Sequence, residues 1–205
     1  MKQLISKTPG LAWKQALNLV ATEGKHVKDG EKDLKEFMNV FLTIQNPLAS
    51  DEIIEKYADQ TMVEWMRNNF LSNEPVLNWG YSYGQRFTNF DGINQIDSVI
   101  EKLKKNPESK SATITLMDPQ SDGSHMPCIV ALDFKIRSNR LMTTAFFRSQ
   151  DVGKKIYADI ICLGEISKKI ADAVGVESGD LNILIVSLHF YEEDRQKFSE
   201  LLQLK

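Results

Sequence analysis

Apolar residues recur at helical spacing between positions 11 and 23. Leu11, Trp13, Ala16, Leu17 and Val20 form a stripe that predicts an amphipathic helix. From Glu23 to Glu36 that period is lost. The stretch is charged, punctuated by Gly24 and Gly30, and reads as loop. Phe37 to Ile44 is a strand-length apolar run stopped by Asn46-Pro47. Ser50 and Asp51 offer caps to a helix whose buried face would be Ile54, Tyr57, Ala58, Met62 and Trp65. Ile93, Ile96, Ile100 and Leu103 predict another helix over 91–104, ending in the basic, proline-containing stretch Lys104 to Lys110.

Farther on the period shortens to two. Ala112 to Met117, Cys128 to Ile136, Leu141 to Arg148 and Leu181 to Tyr191 read as strands. One helix interrupts them around 156–174, with Leu163, Ile166, Ile170 and Val174 on one face. The turn Arg137-Ser138-Asn139-Arg140 is short enough to close an antiparallel hairpin. Helices combined with a largely antiparallel sheet predict an α+β fold. The 205 residues contain no repeat, low-complexity tract or Gly/Ser linker, so one domain over 1–205 is the expectation.

Composition narrows the function. A net charge of -3 argues against a protein that binds nucleic acid through a basic face, whereas a small phosphorylated ligand needs only a few cations. Cys128 and Cys162 form no disulfide framework or zinc signature, and His26, His125 and His189 lack metal-ligand spacing. These points predict a cytoplasmic protein. The apolar runs are strand-length and none is a signal-peptide core or a membrane span.

Polar chemistry gathers at strand ends in the second half of the chain. Cys128 shares its alternation with Val130, Leu132, Phe134 and Ile136, which alone reads as a buried structural cysteine. Arg148, ending a neighbouring strand, would instead make it a candidate nucleophile held as thiolate. Arg148 itself reads either as a surface partner of Asp151 or as an anion grip. His189 and Tyr191, two apart on one strand face, read as a core pair or as partners for a sugar hydroxyl. Trp79, Tyr81 and Tyr83 around Gly80 and Gly84 are either packing or an aromatic loop over a ligand. Lys102, Lys104, Lys105 and Lys110 fit a solvated helix C-terminus.

Six short motifs occur in order: Tyr83-Gly84-Gln85-Arg86, Ile93-Asn94-Gln95-Ile96, Asn106-Pro107-Glu108-Ser109, Pro127-Cys128, Phe147-Arg148-Ser149-Gln150-Asp151 and His189-Phe190-Tyr191. Together they resemble the thymidylate synthase family, which includes the pyrimidine nucleotide hydroxymethylases. The texture around Phe134 to Arg137 and Thr144 to Ser149 is most similar to its short methanogen-type branch.

The resemblance implies a homodimer that transfers a one-carbon unit from 5,10-methylene-tetrahydrofolate, or a related methylene-pterin, to C5 of a pyrimidine nucleoside monophosphate. It makes Cys128 the nucleophile at C6, and Arg148 with Ser149 the phosphate grip. His189 and Tyr191 would bind the sugar, Tyr83 would join the polar network around the base, and Asp151 would lie near base and folate. Lys110 and Ser111 stand where the family usually has two arginines that complete the partner's phosphate site, leaving Lys110 as the cation there. Glu52 and Glu55 are the candidates by position for the family's catalytic glutamate.

Ile129 follows the cysteine where mainstream members have histidine, and Gly153 to Tyr157 is more polar than the usual folate-facing loop. Asp159 aligns with an asparagine that reads uracil, and aspartate there marks the cytidine nucleotide hydroxymethylases of the family. The resemblance therefore favours CMP or dCMP hydroxymethylation, with dUMP methylation and a nucleotide-binding relative without chemistry as alternatives. An Asp159 that merely answers a helix dipole is the competing structural reading.

Overall fold

The structure, a computed structural model, describes residues 1–48, 51–75, 80–123 and 125–204. Its centre is a seven-stranded sheet in the order β1-β3-β7-β6-β5-β4, with β2 paired to β3 off that path. The strands are β1 (Lys2–Ser6), β2 (Lys25–Asp29), β3 (Lys32–Ile44), β4 (Thr113–Thr115), β5 (Ile129–Arg137), β6 (Arg140–Asp151) and β7 (Glu177–Tyr191). β1 pairs parallel with β3, and β6 parallel with β7; the other neighbours are antiparallel. The expected α+β class with a largely antiparallel sheet is what forms.

The helices are α1 (Pro9–Glu23), α2 (Glu52–Tyr57), α3 (Gln60–Leu71), α4 (Tyr83–Thr88), α5 (Gln95–Lys105), α6 (Ile156–Val174) and α7 (Ser199–Gln203), with a 3-10 helix over Glu192–Phe198. Thr8 caps α1 and Pro9 opens it, where a missing N–H costs nothing. Ala12, Ala16, Leu17 and Val20 of α1 join Ile160, Leu163, Ile170 and Ala171 of α6 in the core. Trp13 Nε1 donates to the Val152 carbonyl at 2.8 Å, which ties α1 to the segment following β6.

Several local readings change. The charged stretch from Glu23 to Glu36 is a hairpin, not a loop; Gly30 turns it with φ of 58°, and Lys28 faces Asp33 across the strands. Its exposed charges hide the period of two. The helix expected after Asp51 is two helices, because Ala58 is extended and Asp59 starts α3 by accepting from the Thr61 and Met62 N–H groups. Asp51 caps α2 and also accepts from Gly10 N at 2.7 Å; its proposed co-cap Ser50 lies outside the described residues. Asn94 caps α5, so Ile93 stays outside the helix and exposed.

The feature that builds the site is a kink across the sheet. In β5, Ile129 pairs with Phe147 and Ala131 with Phe146, so Val130 is an extra, bulged residue. In β3, Asn39 takes φ of 60°. In β7 the fully buried positions are Leu181, Ile183 and Ile185 before the kink, then Leu188 and Phe190 after it. The phase change turns Ser187, His189 and Tyr191 away from the core. The bulge also puts Ile129, not Cys128, in phase with buried Leu132, Phe134 and Ile136. Cys128 therefore leaves the face that simple alternation assigned to it.

Candidate active site

Beyond the kink, two adjoining cavities of about 270 and 560 Å³ share Cys128, Arg148, Gln150 and Lys155 in their walls. The smaller one runs between the sheet end, α3 and α6, where Trp65, Asn69, Tyr81, Tyr83 and Asp159 also face it. The larger one lies over the ends of β3, β6 and β7 and is lined by Glu36, Ser149, Asp151, Ser187, His189 and Tyr191. Of the eleven residues given a site role from sequence, eight meet at these two cavities.

Cys128 is half-buried, and its Sγ lies 3.8 Å from Ser149 Oγ. Arg148 donates from Nη1 to the same hydroxyl at 3.3 Å, so thiol, hydroxyl and guanidinium form one chain. The backbone fixes this arrangement, because Arg148 N–H donates to the Cys128 carbonyl across the strand pair. The guanidinium also donates to the Pro127 and Met126 carbonyls at 3.0 and 2.7 Å. Among the described residues no carboxylate, Asp151 included, forms an ion pair with it. Its charge is thus held rigidly beside the cavity rather than neutralised there.

Tyr83 sits under the thiol. Its hydroxyl accepts from the N–H groups of Cys128 and Ile129 at 3.1 and 3.3 Å, which leaves its own hydrogen to donate. Burial pushes this phenol well above 10, and nearby Cys128 and Asp159 add to that shift, so it stays protonated.

Asp159 lies in the first turn of α6 yet is buried, and Gln150 Nε2 donates to its Oδ2 at 2.7 Å. Burial raises its carboxyl from 3.8 to about 7; the Gln150 hydrogen bond and the Lys155 charge pull the other way. A carboxyl that changes charge near neutrality can offer a ligand either an acceptor alone or a donor with an acceptor.

Asp151 accepts from Gly153 and Lys154 N–H at 2.9 and 3.1 Å, closing the turn that leads into α6. Burial raises its pKa above the ordinary carboxylate value. His189 and Tyr191 pack edge to face with ring centres 5.4 Å apart. Both line the larger cavity rather than forming a closed core pair.

Lys110 is exposed and absent from either cavity wall. Its loop is anchored by buried Ser109 and by Lys102 Nζ donating to the Ser111 carbonyl at 2.9 Å, which leaves Lys110 facing outward. Glu52 and Glu55 belong to α2, and neither lines either cavity. The glutamate that does reach the larger one is Glu36, which the charged hairpin concealed. Lys155 and Asn69 were likewise missed, since single polar residues next to apolar runs carry no periodic signal, and Gln150 stood within a motif without a role. Trp79 of the expected aromatic loop lies outside the described residues.

The thymidylate synthase family model matches residues 16–205. The chain belongs to the thymidylate synthase family. Curated relatives bearing the words "Putative thymidylate synthase" include one from Methanosarcina mazei, 33% identical over 187 residues, covering 89% of this chain and 86% of the relative. Another, from Methanococcoides burtonii, is 32% identical over 203 residues, covering 97% of this chain and 93% of its own length. A third, from Methanosarcina acetivorans, is 34% identical over 188 residues, covering 89% and 86%. Membership of the thymidylate synthase family makes the chain a relative of one-carbon transferases acting on pyrimidine nucleotides. Among the described residues no helix is long and apolar enough to cross a membrane.

Proposed function

We propose that this protein is a cytidylate hydroxymethylase: it adds a hydroxymethyl group to C5 of CMP or dCMP using Cys128 as nucleophile. The observation that carries the reading is buried Asp159 in the same small cavity as Cys128, with Oδ2 engaged by Gln150. As a carboxylate it accepts from the exocyclic amine of cytosine, and from N3 once that nitrogen gains a proton during thiolate addition. Addition of the thiolate to C6 moves the electron pair of the C5–C6 bond toward C5, which becomes the carbon nucleophile. Once C5 has bonded to the transferred carbon, loss of the C5 proton and departure of the thiolate restore the ring. Tyr83 holds the nucleophile's backbone, while Arg148 and Ser149 take the phosphate.

When bound, methylene-tetrahydrofolate or a related methylene-pterin supplies a carbon at the formaldehyde oxidation level, and water completes the hydroxymethyl group. Trp65 and Tyr81 offer flat aromatic walls to such a co-substrate, and Lys155 a cation for an acidic tail. Asp151, in the wall of the larger cavity beside His189, would stand near base and co-substrate. The enzyme is a cytoplasmic homodimer whose partner lends Lys110. The two free cysteines fit a reducing compartment, and a row of half-buried apolar residues on the uncovered sheet face fits a dimer contact.

The second reading, a thymidylate synthase acting on dUMP, is favoured by the words attached to the relatives and by the carboxyl near neutrality. A protonated Asp159 donates to O4 of uracil as an asparagine would. Thermal shift against CMP, dCMP, UMP and dUMP at pH 8 separates the two, because a ligand of the native state alone raises the melting midpoint. Larger shifts with the cytidine nucleotides are expected; larger shifts with dUMP would overturn the reading. Cys128→Ser should still bind nucleotide and lose turnover, and a fully active variant would end the covalent mechanism.

A further inference from the structure

The register of the sheet places three polar residues in one row: Glu36 of β3 is paired with His189 of β7, which is paired with Asp151 of β6. All three line the larger cavity. His189 is held from behind. Ser187 Oγ donates to Glu36 Oε1 at 2.5 Å, so toward His189 Nδ1, 3.4 Å away, it offers only lone pairs. The Ser187 carbonyl, also 3.4 Å from Nδ1, can only accept. Two acceptors at Nδ1 favour the tautomer with its hydrogen there, in which Nε2 is the acceptor. In the proposed site the imidazole thus accepts a hydrogen bond from one sugar hydroxyl.

Glu36 stands one strand farther from Cys128, at the end of the row the sugar edge would reach last. Ser187 occupies a site on Oε1, and a carboxylate has about four lone-pair sites in all. Oε2 is left to accept from a second hydroxyl beside the one that His189 receives. A neighbouring pair of hydroxyls is what distinguishes ribose from 2′-deoxyribose.

We propose that Glu36 is a specificity-determining residue that accepts a hydrogen bond from the second sugar hydroxyl and makes this site a ribonucleotide site. The inference rests on the reading of the cavities as a pyrimidine nucleotide site and selects CMP over dCMP within it. A polar site built around a hydroxyl discriminates strongly against the analogue lacking it, since the acceptor is desolvated and left unpaired.

Isothermal titration of CMP and dCMP into the wild type, Glu36→Gln and Glu36→Ala tests it. The wild type should bind CMP at least about tenfold more tightly than dCMP, from the strength of a hydrogen bond to a charged acceptor. Glu36→Ala should bring the ratio to about threefold or less by loss of CMP affinity with dCMP affinity held, the charged acceptor being gone. Glu36→Gln, isosteric and able to keep the Ser187 contact, should fall between them. A merely structural role for Glu36 would weaken both ligands together and leave the ratio unchanged, which overturns the inference. Equal wild-type binding of the two nucleotides overturns it as well, while leaving the nucleotide reading intact. Binding of neither strikes that reading and this inference with it.

Discussion

At Asp159, burial and one hydrogen bond set a protonation state on which base recognition depends in the proposed function. Its carboxyl titrates at about 7 in the folded protein against an ordinary 3.8. Between those values the native state holds a proton that the unfolded chain has released, so this group's contribution to stability falls as pH rises from about 4 to 7. Asp159→Asn removes the titration and keeps an acceptor for Gln150. Urea denaturation should show the variant gaining on the wild type by up to about 4 kcal/mol at pH 8. The gain should be smaller at pH 5, and a gap independent of pH would refute the assignment. The same proton governs the base. Above pH 7 the carboxylate favours the cytosine amine, and below it the protonated form also serves uracil, so the dCMP:dUMP affinity ratio should rise between pH 6 and 8. Asp159→Asn should flatten that rise and move preference toward dUMP. The nucleotide phosphate titrates in this range too, but it is common to both ligands and cancels in the ratio.

Elements carry these residues to the site with uneven visibility in sequence. The helix over 156–174 and the hairpin of β5 and β6 could be read directly, because long apolar stripes are decided by burial alone. The hairpin of β2 and β3 could not, since Lys25, Lys28, Asp33 and Glu36 keep it polar on both faces. The bulge at Val130 was also invisible, because the extra residue is as apolar as its neighbours while reversing which of them face the core. That single residue separates a structural reading of Cys128 from a catalytic one. α4 shows another hidden device. Arg86 stacks between Tyr81 and Phe90 and donates to Asp122 at 2.5 Å, with both charges buried. Asp122 also accepts from Asp118 N at 2.6 Å, pinning the turn that leads toward Cys128. Truncating one partner of a buried pair leaves the other charge poorly paired, here with only Asp118 at 3.9 Å, so Asp122→Ala should cost up to about 3–5 kcal/mol in chemical denaturation. Replacing both as Arg86→Met with Asp122→Leu should recover much of that, and equal losses in the single and double variants would contradict the pair's role.

Across the whole molecule the sheet kink divides labour between two faces. Past it, polar side chains line the cavities; before it, the face turned from α1 and α6 carries a continuous apolar row. Phe41, Leu184, Phe146 and Ala131 are register neighbours on four adjacent strands, and each is only half-buried in one chain. A second copy packed on that row would bury it in a two-fold contact, in which whatever one subunit gives the other it also receives. In the proposed function Arg148 and Ser149 grip the phosphate, and the anchored loop before β4 presents Lys110 as an outward-facing cation that a second subunit could use. If that cation completes the partner's site, Lys110→Ala and Arg148→Ala homodimers are each defective at both sites. A mixed dimer, however, contains one site with its own Arg148 and its partner's Lys110. Random exchange of equal amounts should then restore about a quarter of wild-type sites, since half the dimers are mixed and one of their two sites is whole. Nucleotide titration and turnover of the unfolded and co-refolded mixture, set against each parent refolded separately, read this fraction. A mixture no more active than the mean of its parents, or a monomer that binds nucleotide as tightly as the dimer, would remove Lys110 from the site and leave the phosphate to cations of one chain, Arg148 first among them.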